Sequence, residues 1–151
     1  MTINELVDAV VVLLKAGSTT QLALAQVYKG EQDAYRSTRS VSVLWLGAGE
    51  LPMAIGDAFA DTHRVMLICR MPLRDPATTS PTAAGTWYGY FLDLCQEVRD
   101  LFSTAANRSL TAGGEKTYKA EIVDDTAGFE AAAEEEWLAY SLTIVWHGPQ
   151  D

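Results

Sequence analysis

The side chains able to do chemistry are few and scattered. Nucleophilic catalysis requires a nucleophile, a base to take its proton and a third group to orient the base. His63 and His147 are the two imidazoles of the chain. No serine occupies a Gly-x-Ser-x-Gly elbow, and neither Cys69 nor Cys95 has the electropositive neighbours that would hold it as a thiolate. The cysteines stand apart with no Cys-x-x-Cys spacing, so neither a zinc site nor a redox pair is indicated, and buried reduced thiols are expected.

Carboxylates are plentiful. Asp93, Glu97 and Asp100 recur at i, i+4 and i+7, the spacing that places three acids on one helix face. Such a face could chelate a cation or divide acid and base roles, but no histidine or asparagine stands nearby to complete it. A solvated face opposite a buried stripe is the expectation. Asp124, Asp125, Glu134, Glu135 and Glu136 form a second cluster without the alternating ligands and central glycine of a calcium loop. Gly47–Ala48–Gly49 follows a strand-like run but lacks the third glycine of a dinucleotide fingerprint and the Gly-Lys-Ser/Thr of a phosphate loop, so a turn is expected. The residues therefore indicate neither an enzyme nor a cofactor or metal.

Charge narrows the classes further. The chain of 151 residues has a formal net charge of −9, and the half from residue 76 onward holds 12 acidic against 4 basic residues. Between Glu121 and Glu136 there are seven carboxylates and no base. Such a surface repels phosphate and argues against ordinary nucleic-acid binding. The apolar run Ala9 to Leu14 is far short of the roughly 18 residues a membrane span needs, and acids rather than bases precede it. It is expected to belong to the fold of an intracellularly made, single-domain protein.

These residues need elements to hold them. Thr2 and Glu5 have the spacing of a capping box, and Ile3, Leu6, Val7, Val10, Leu13 and Leu14 draw one apolar stripe, which predicts a helix from Thr2 to Ala16 with Gly17 as a left-handed stop. Leu22 to Tyr28 and Ser40 to Leu46 read as strands, and residues 47–56 as an irregular connection. Thr62 to Met71 alternates, with His63, Val65, Leu67, Cys69 and Met71 predicted on the core face and the other set half-exposed. Pro72 to Thr86, rich in proline and small polar residues, reads as a long connection of the functional or mobile kind. A second amphipathic helix follows, burying Trp87, Phe91, Leu94, Val98, Leu101 and Phe102. Thr117 to Asp125 and Glu136 to His147 read as closing strands around an acidic link from Thr126 to Glu135. In the last strand, Leu138, Tyr140, Leu142, Ile144 and Trp146 share one face. The predicted fold is α+β: a mainly antiparallel sheet with two principal helices on one face.

In this order the elements resemble the tail terminator (tail completion) proteins of long-tailed bacteriophages. The opening helix, the stretch SVSVLWLGAGE running into a glycine-bearing bend, DTHRVMLICRMPL leading to a loop and central helix, and a closing hairpin with an aspartate-rich turn and Phe129 are similar to that family. Phage stoppers and adaptors are similar in size, and tube proteins share related sheets. The resemblance implies a virion protein of the tail neck, assembled in the host cytoplasm as a six-membered ring. That ring caps the tail tube, ends its polymerisation and meets the head connector, while DNA passes through without specific binding. Within that picture, Arg70, Arg74 and Asp75 are candidates for intersubunit or tube contact. Asp124, Asp125, Glu134, Glu135 and Glu136 are candidates for an acidic channel or surface patch. A different class, a small ligand-binding domain or enzyme with its pocket between sheet and second helix, lacks convergent polar groups. A monomeric adaptor binding one partner through exposed apolar residues also stays open.

Overall fold

A computed structural model describes residues 2–31, 39–52, 59–72, 83–107, 109–112, 114–117, 119–132 and 135–147. Helix α1 spans Ile3–Lys15 and begins with the expected capping box: the Glu5 amide donates to Thr2 Oγ1 at 3.1 Å and the Thr2 amide donates to the Glu5 carboxylate at 2.6 Å. Each side chain satisfies an amide that the first turn leaves without a partner. The stripe buries Leu6, Val7, Val10, Val11 and Leu14, each contributing about 1.5–3 kcal/mol when fully removed from water. That burial offsets the modest helix propensity of the valines.

The helix does not end on a left-handed glycine. Ala16 caps it with right-handed backbone angles, and Gly17 is required for a different reason: a Cβ there would lie 2.4 Å from Leu22 Cδ2. The chain folds back through a 3₁₀ turn at Leu22–Leu24, so the strand expected from Leu22 is confined to β1, Gln26–Lys29.

Strand β2, Ser40–Pro52, continues through the glycines that the sequence suggested as a turn. A bulge lies between Trp45 and Gly47, whose φ of +137° is open to glycine and strained for other residues. Strand β3, Phe59–Pro72, pairs antiparallel with β2 from Phe59 to Arg70. The pairs from Glu50↔Asp61 to Pro52↔Phe59 lie beyond Thr62↔His147, the last pair of β3 with the closing strand, so this hairpin projects past the rest of the sheet.

Helix α2 spans Ala83–Ser103; Ala83 to Thr86, expected in the long connection, are its first turn, and residues 73–82 lie outside the described residues. It buries Trp87, Phe91, Leu94, Cys95, Val98 and Phe102, while Leu101 is only half-buried. Short strands β4, Thr111–Ala112, and β5, Glu115–Lys116, form a separate two-stranded ladder. Strand β6, Lys119–Ala132, extends seven residues past the predicted end at Asp125, because the acidic alanine-rich link is strand rather than loop. It pairs antiparallel with β7, Glu135–His147, with a bulge between Ile122 and Asp124.

The main sheet has the order β1-β2-β3-β7-β6, parallel between β1 and β2 and antiparallel elsewhere. Both helices pack on one face, forming a single cluster with Val41, Val43, Val65, Leu67, Cys69, Met71 and the predicted apolar face of β7. Phe102 meets Trp146 edge-on, with ring centroids 5.7 Å apart. The architecture is thus the expected α+β fold with helices on one side. On the helix-free face the alternation is less simple than predicted: Arg64 is exposed, but Ile68 and Arg70 are buried. Among the described residues, no helix is long and apolar enough to cross a membrane.

Candidate functional site

Arg70 lies near the C-terminal end of β3 on the helix-free face, and 4% of it is exposed. Its guanidinium donates to Glu31 Oε1 at 3.0 Å and to Ser42 Oγ at 3.3 Å. In the single chain its contacts are therefore internal. Arg74 and Asp75, the other two candidates for a partner contact, lie outside the described residues, as does Glu134.

Asp124 and Asp125 stand exposed on β6, and Glu135 and Glu136 open β7 opposite Ala132 and Ala131. The structure thus strings these acids along one hairpin. Asp125 is the best engaged: its Oδ2 accepts from Arg99 at 2.7 Å and from the Tyr140 hydroxyl at 2.9 Å. This cluster ties α2 to the outer strand. Burial pushes the Tyr140 hydroxyl up to about 12, and the hydrogen bond it donates to Asp125 acts in the same direction.

Two of the three acids of α2 make contacts within the chain. Asp93 is exposed, Glu97 accepts the Gln21 amide on both carboxylate oxygens at 3.0 and 3.2 Å, and Asp100 accepts from Gln96. Glu97 thereby holds the turn after α1 against α2. Beside it lies a contact that the sequence did not suggest. Arg39 sits 5.2 Å from the Trp87 ring centre and 5.5 Å from that of Tyr90, while its Nε donates to Gln21 Oε1 at 2.7 Å. No local periodicity marks Arg39, because its partners come from two distant elements.

The imidazoles and thiols are not assembled into a nucleophilic site. His147 Nε2 lies 3.8 Å from Glu121, and His63 is paired across strands with Trp146. The Trp146 indole nitrogen and His63 Nδ1 are both buried without a hydrogen-bond partner among the described residues. Cys69 and Cys95 are free, buried thiols. Burial holds the Cys69 thiol well above its ordinary range and pushes Cys95 up to about 12, so neither ionises near neutrality. Among the described residues, no group of three His, Cys, Asp or Glu could hold a metal ion. The space between α2 and the sheet is filled by core side chains.

The described surface exposes several apolar side chains. Tyr88 and Leu92 are exposed one turn apart on α2, Val12 is 65% exposed on α1, and Val123 is 51% exposed at the β6 bulge. The face of the sheet opposite the helices presents Thr62, Arg64, Met66, Ser141, Thr143 and Val145 with partial or full exposure.

No family model matches the chain, and no curated protein matches it. Among solved structures, a chain of the "Virion of native gene transfer agent (GTA) particle" is similar with a TM-score of 0.61 at 14% sequence identity, over 96% of this chain and 96% of that one. At this identity the likeness is one of fold: the two chains share the same architecture from end to end.

Proposed function

We propose that this chain is a structural, non-catalytic virion protein that forms a ring at the top of a tail tube. There it caps the tube, ends its polymerisation and joins it to the head connector. The observation that carries this reading is the end-to-end fold likeness to a chain of a gene transfer agent virion, with 96% of each chain covered. The one-sided architecture supports it, because helices cover one face of the sheet and the other exposes Arg64 and, in part, Thr62, Met66, Thr143 and Val145. A ring arises when a heterologous contact closes, whereas the same kind of contact without closure gives a filament. Closure is what ending a tube requires. Six copies with a net charge of −9 each would surround passing DNA with repulsion rather than adhesion. On this reading the protein assembles in the host cytoplasm, resides in the tail neck and needs no cofactor. Arg70, Arg74 and Asp75 remain candidates for contact with a neighbouring subunit or the tube.

Two experiments test this. Native mass spectrometry of the purified protein should show a hexamer that grows with concentration. Tails assembled without the protein should be abnormally long or headless in negative-stain images. Tails of normal length that still join heads would overturn the capping role, and filled heads that leak DNA would move the assignment to a stopper.

A further inference from the structure

β6 stands at the end of the strand order, with β7 on one side and no described strand on the other. Its 14 residues, at about 3.3 Å each, run about 46 Å. An edge strand presents a row of main-chain donors and acceptors that a further strand can pair with. Every residue from Val123 to Gly128 is exposed, so the edge is open along its middle.

The register sorts its side chains. Ile122, Asp125 and Ala127 lie opposite Ile144, Leu142 and Tyr140 on the helix side, where Asp125 is held by Arg99 and Tyr140. Glu121, Asp124, Thr126 and Gly128 lie opposite Val145, Thr143, Ser141 and Ala139 on the helix-free face. A strand added beside β6 would place alternate residues next to the exposed Glu121 and Asp124 on that face. The bulge at Val123 disfavours pairing of two β6 edges, and the carboxylates do so in any register that sets acid beside acid. They act oppositely on a strand with lysine or arginine at every second position, which gains attraction at the same places.

We infer that β6 is the docking edge for an extended basic segment of a partner protein, added to the sheet with its basic side chains on the helix-free face. This inference does not depend on the capping role. Strand addition supplies main-chain hydrogen bonds, and alternate side chains supply the selection.

The test uses the full, isotope-labelled chain and a peptide of about ten residues with lysine at alternate positions and threonine or valine between. The expected result is a shift and slowed hydrogen exchange confined to the amides of β6, with affinity falling at least about tenfold from roughly 0.05 to 0.5 M salt. Asp124→Asn, at an exposed position, should weaken binding while leaving the circular dichroism spectrum unchanged. A peptide N-methylated on the groups that would face β6 should lose the interaction. Equal binding by the methylated peptide, protection elsewhere or no binding would each overturn the inference. So would β6 amides already protected in the protein alone in a concentration-dependent way, because a second copy would then occupy the edge.

Discussion

Replacing Gly17 by alanine separates close packing from backbone conformation at the end of α1. The backbone there is not left-handed, so alanine is conformationally allowed, but its methyl would lie 2.4 Å from Leu22 Cδ2, 2.9 Å from Leu22 Cγ and 3.1 Å from the Leu14 carbonyl oxygen. Leu22 is 3% exposed and belongs to the core, so it cannot swing aside without displacing its neighbours. Two effects oppose each other. Restricting the unfolded chain stabilises by about 0.4–1 kcal/mol, and overpacking a core costs about 1–3 kcal/mol. The cost wins, leaving a loss of about 1–2 kcal/mol, or a fall of about 2–8 °C in Tm for a chain of 151 residues. Scanning calorimetry reads this directly. In a Leu22→Ala background the Leu22 Cγ and Cδ2 atoms are gone and only the 3.1 Å approach to the Leu14 carbonyl oxygen remains, so Gly17→Ala should then lower Tm by clearly less than in the parent. A single variant that melts at or above the parent, or an equal loss in both backgrounds, would refute the close-approach argument.

Removing the capping hydroxyl with Thr2→Ala should cost about 1 kcal/mol in urea unfolding, with the loss reproduced by Glu5→Ala only in part. Phe102→Ala removes the ring set edge-on to Trp146 and should cost about 3–5 kcal/mol, measured by the same titration. Alkaline pH should destabilise the fold. Cys69, Cys95 and Tyr140 all hold their protons more tightly in the folded chain, with Cys95 and Tyr140 pushed up to about 12. Their contribution is complete below the ordinary thiol and phenol ranges and is lost as pH rises through the folded values, so Tm should fall from about pH 9 upward. A Cys69→Ala/Cys95→Ala variant, whatever its starting Tm, should show a shallower fall.

The elements that could be read in the sequence are those whose periodicity is set by burial against one face. The α1 stripe apart from the exposed Ile3, the core side of β3 from Val65 to Met71 and the Leu138-to-Trp146 alternation stand where the residues imply, because each touches the same cluster. The misread stretches are those whose conformation depends on a neighbour. Residues 47–52 contain glycine and proline and alone suggest a bend, yet they continue β2 because β3 supplies a partner for each position. Thr126 to Ala132 look like an acidic link, yet β7 extends them as strand. Glycine and alanine have weak preferences of their own, and pairing decides for them.

The candidate residues divide in the same way. The absence of a serine elbow, a metal-ligand spacing or an electropositive cysteine was readable, because such chemistry needs particular residue types at particular intervals. The fate of Arg70 was not, since alternation placed it on a half-exposed face and only the approach of Glu31 and Ser42 explains its contacts. Arg39, held by Gln21 and the rings of Trp87 and Tyr90, was likewise invisible.

By itself the sequence determined the helix start at Thr2, the apolar faces and the concentration of carboxylates after Glu121, because these depend on composition and on spacing along the chain. Tertiary structure alone decided that Glu121, Asp124, Asp125 and Glu130 lie on the outer strand of a five-stranded sheet, with Asp125 tied to α2 and Asp124 turned to the helix-free face. The physical reason is register: the side of a strand on which a residue falls is set by the strand it pairs with, and a bulge at Val123 shifts every position that follows.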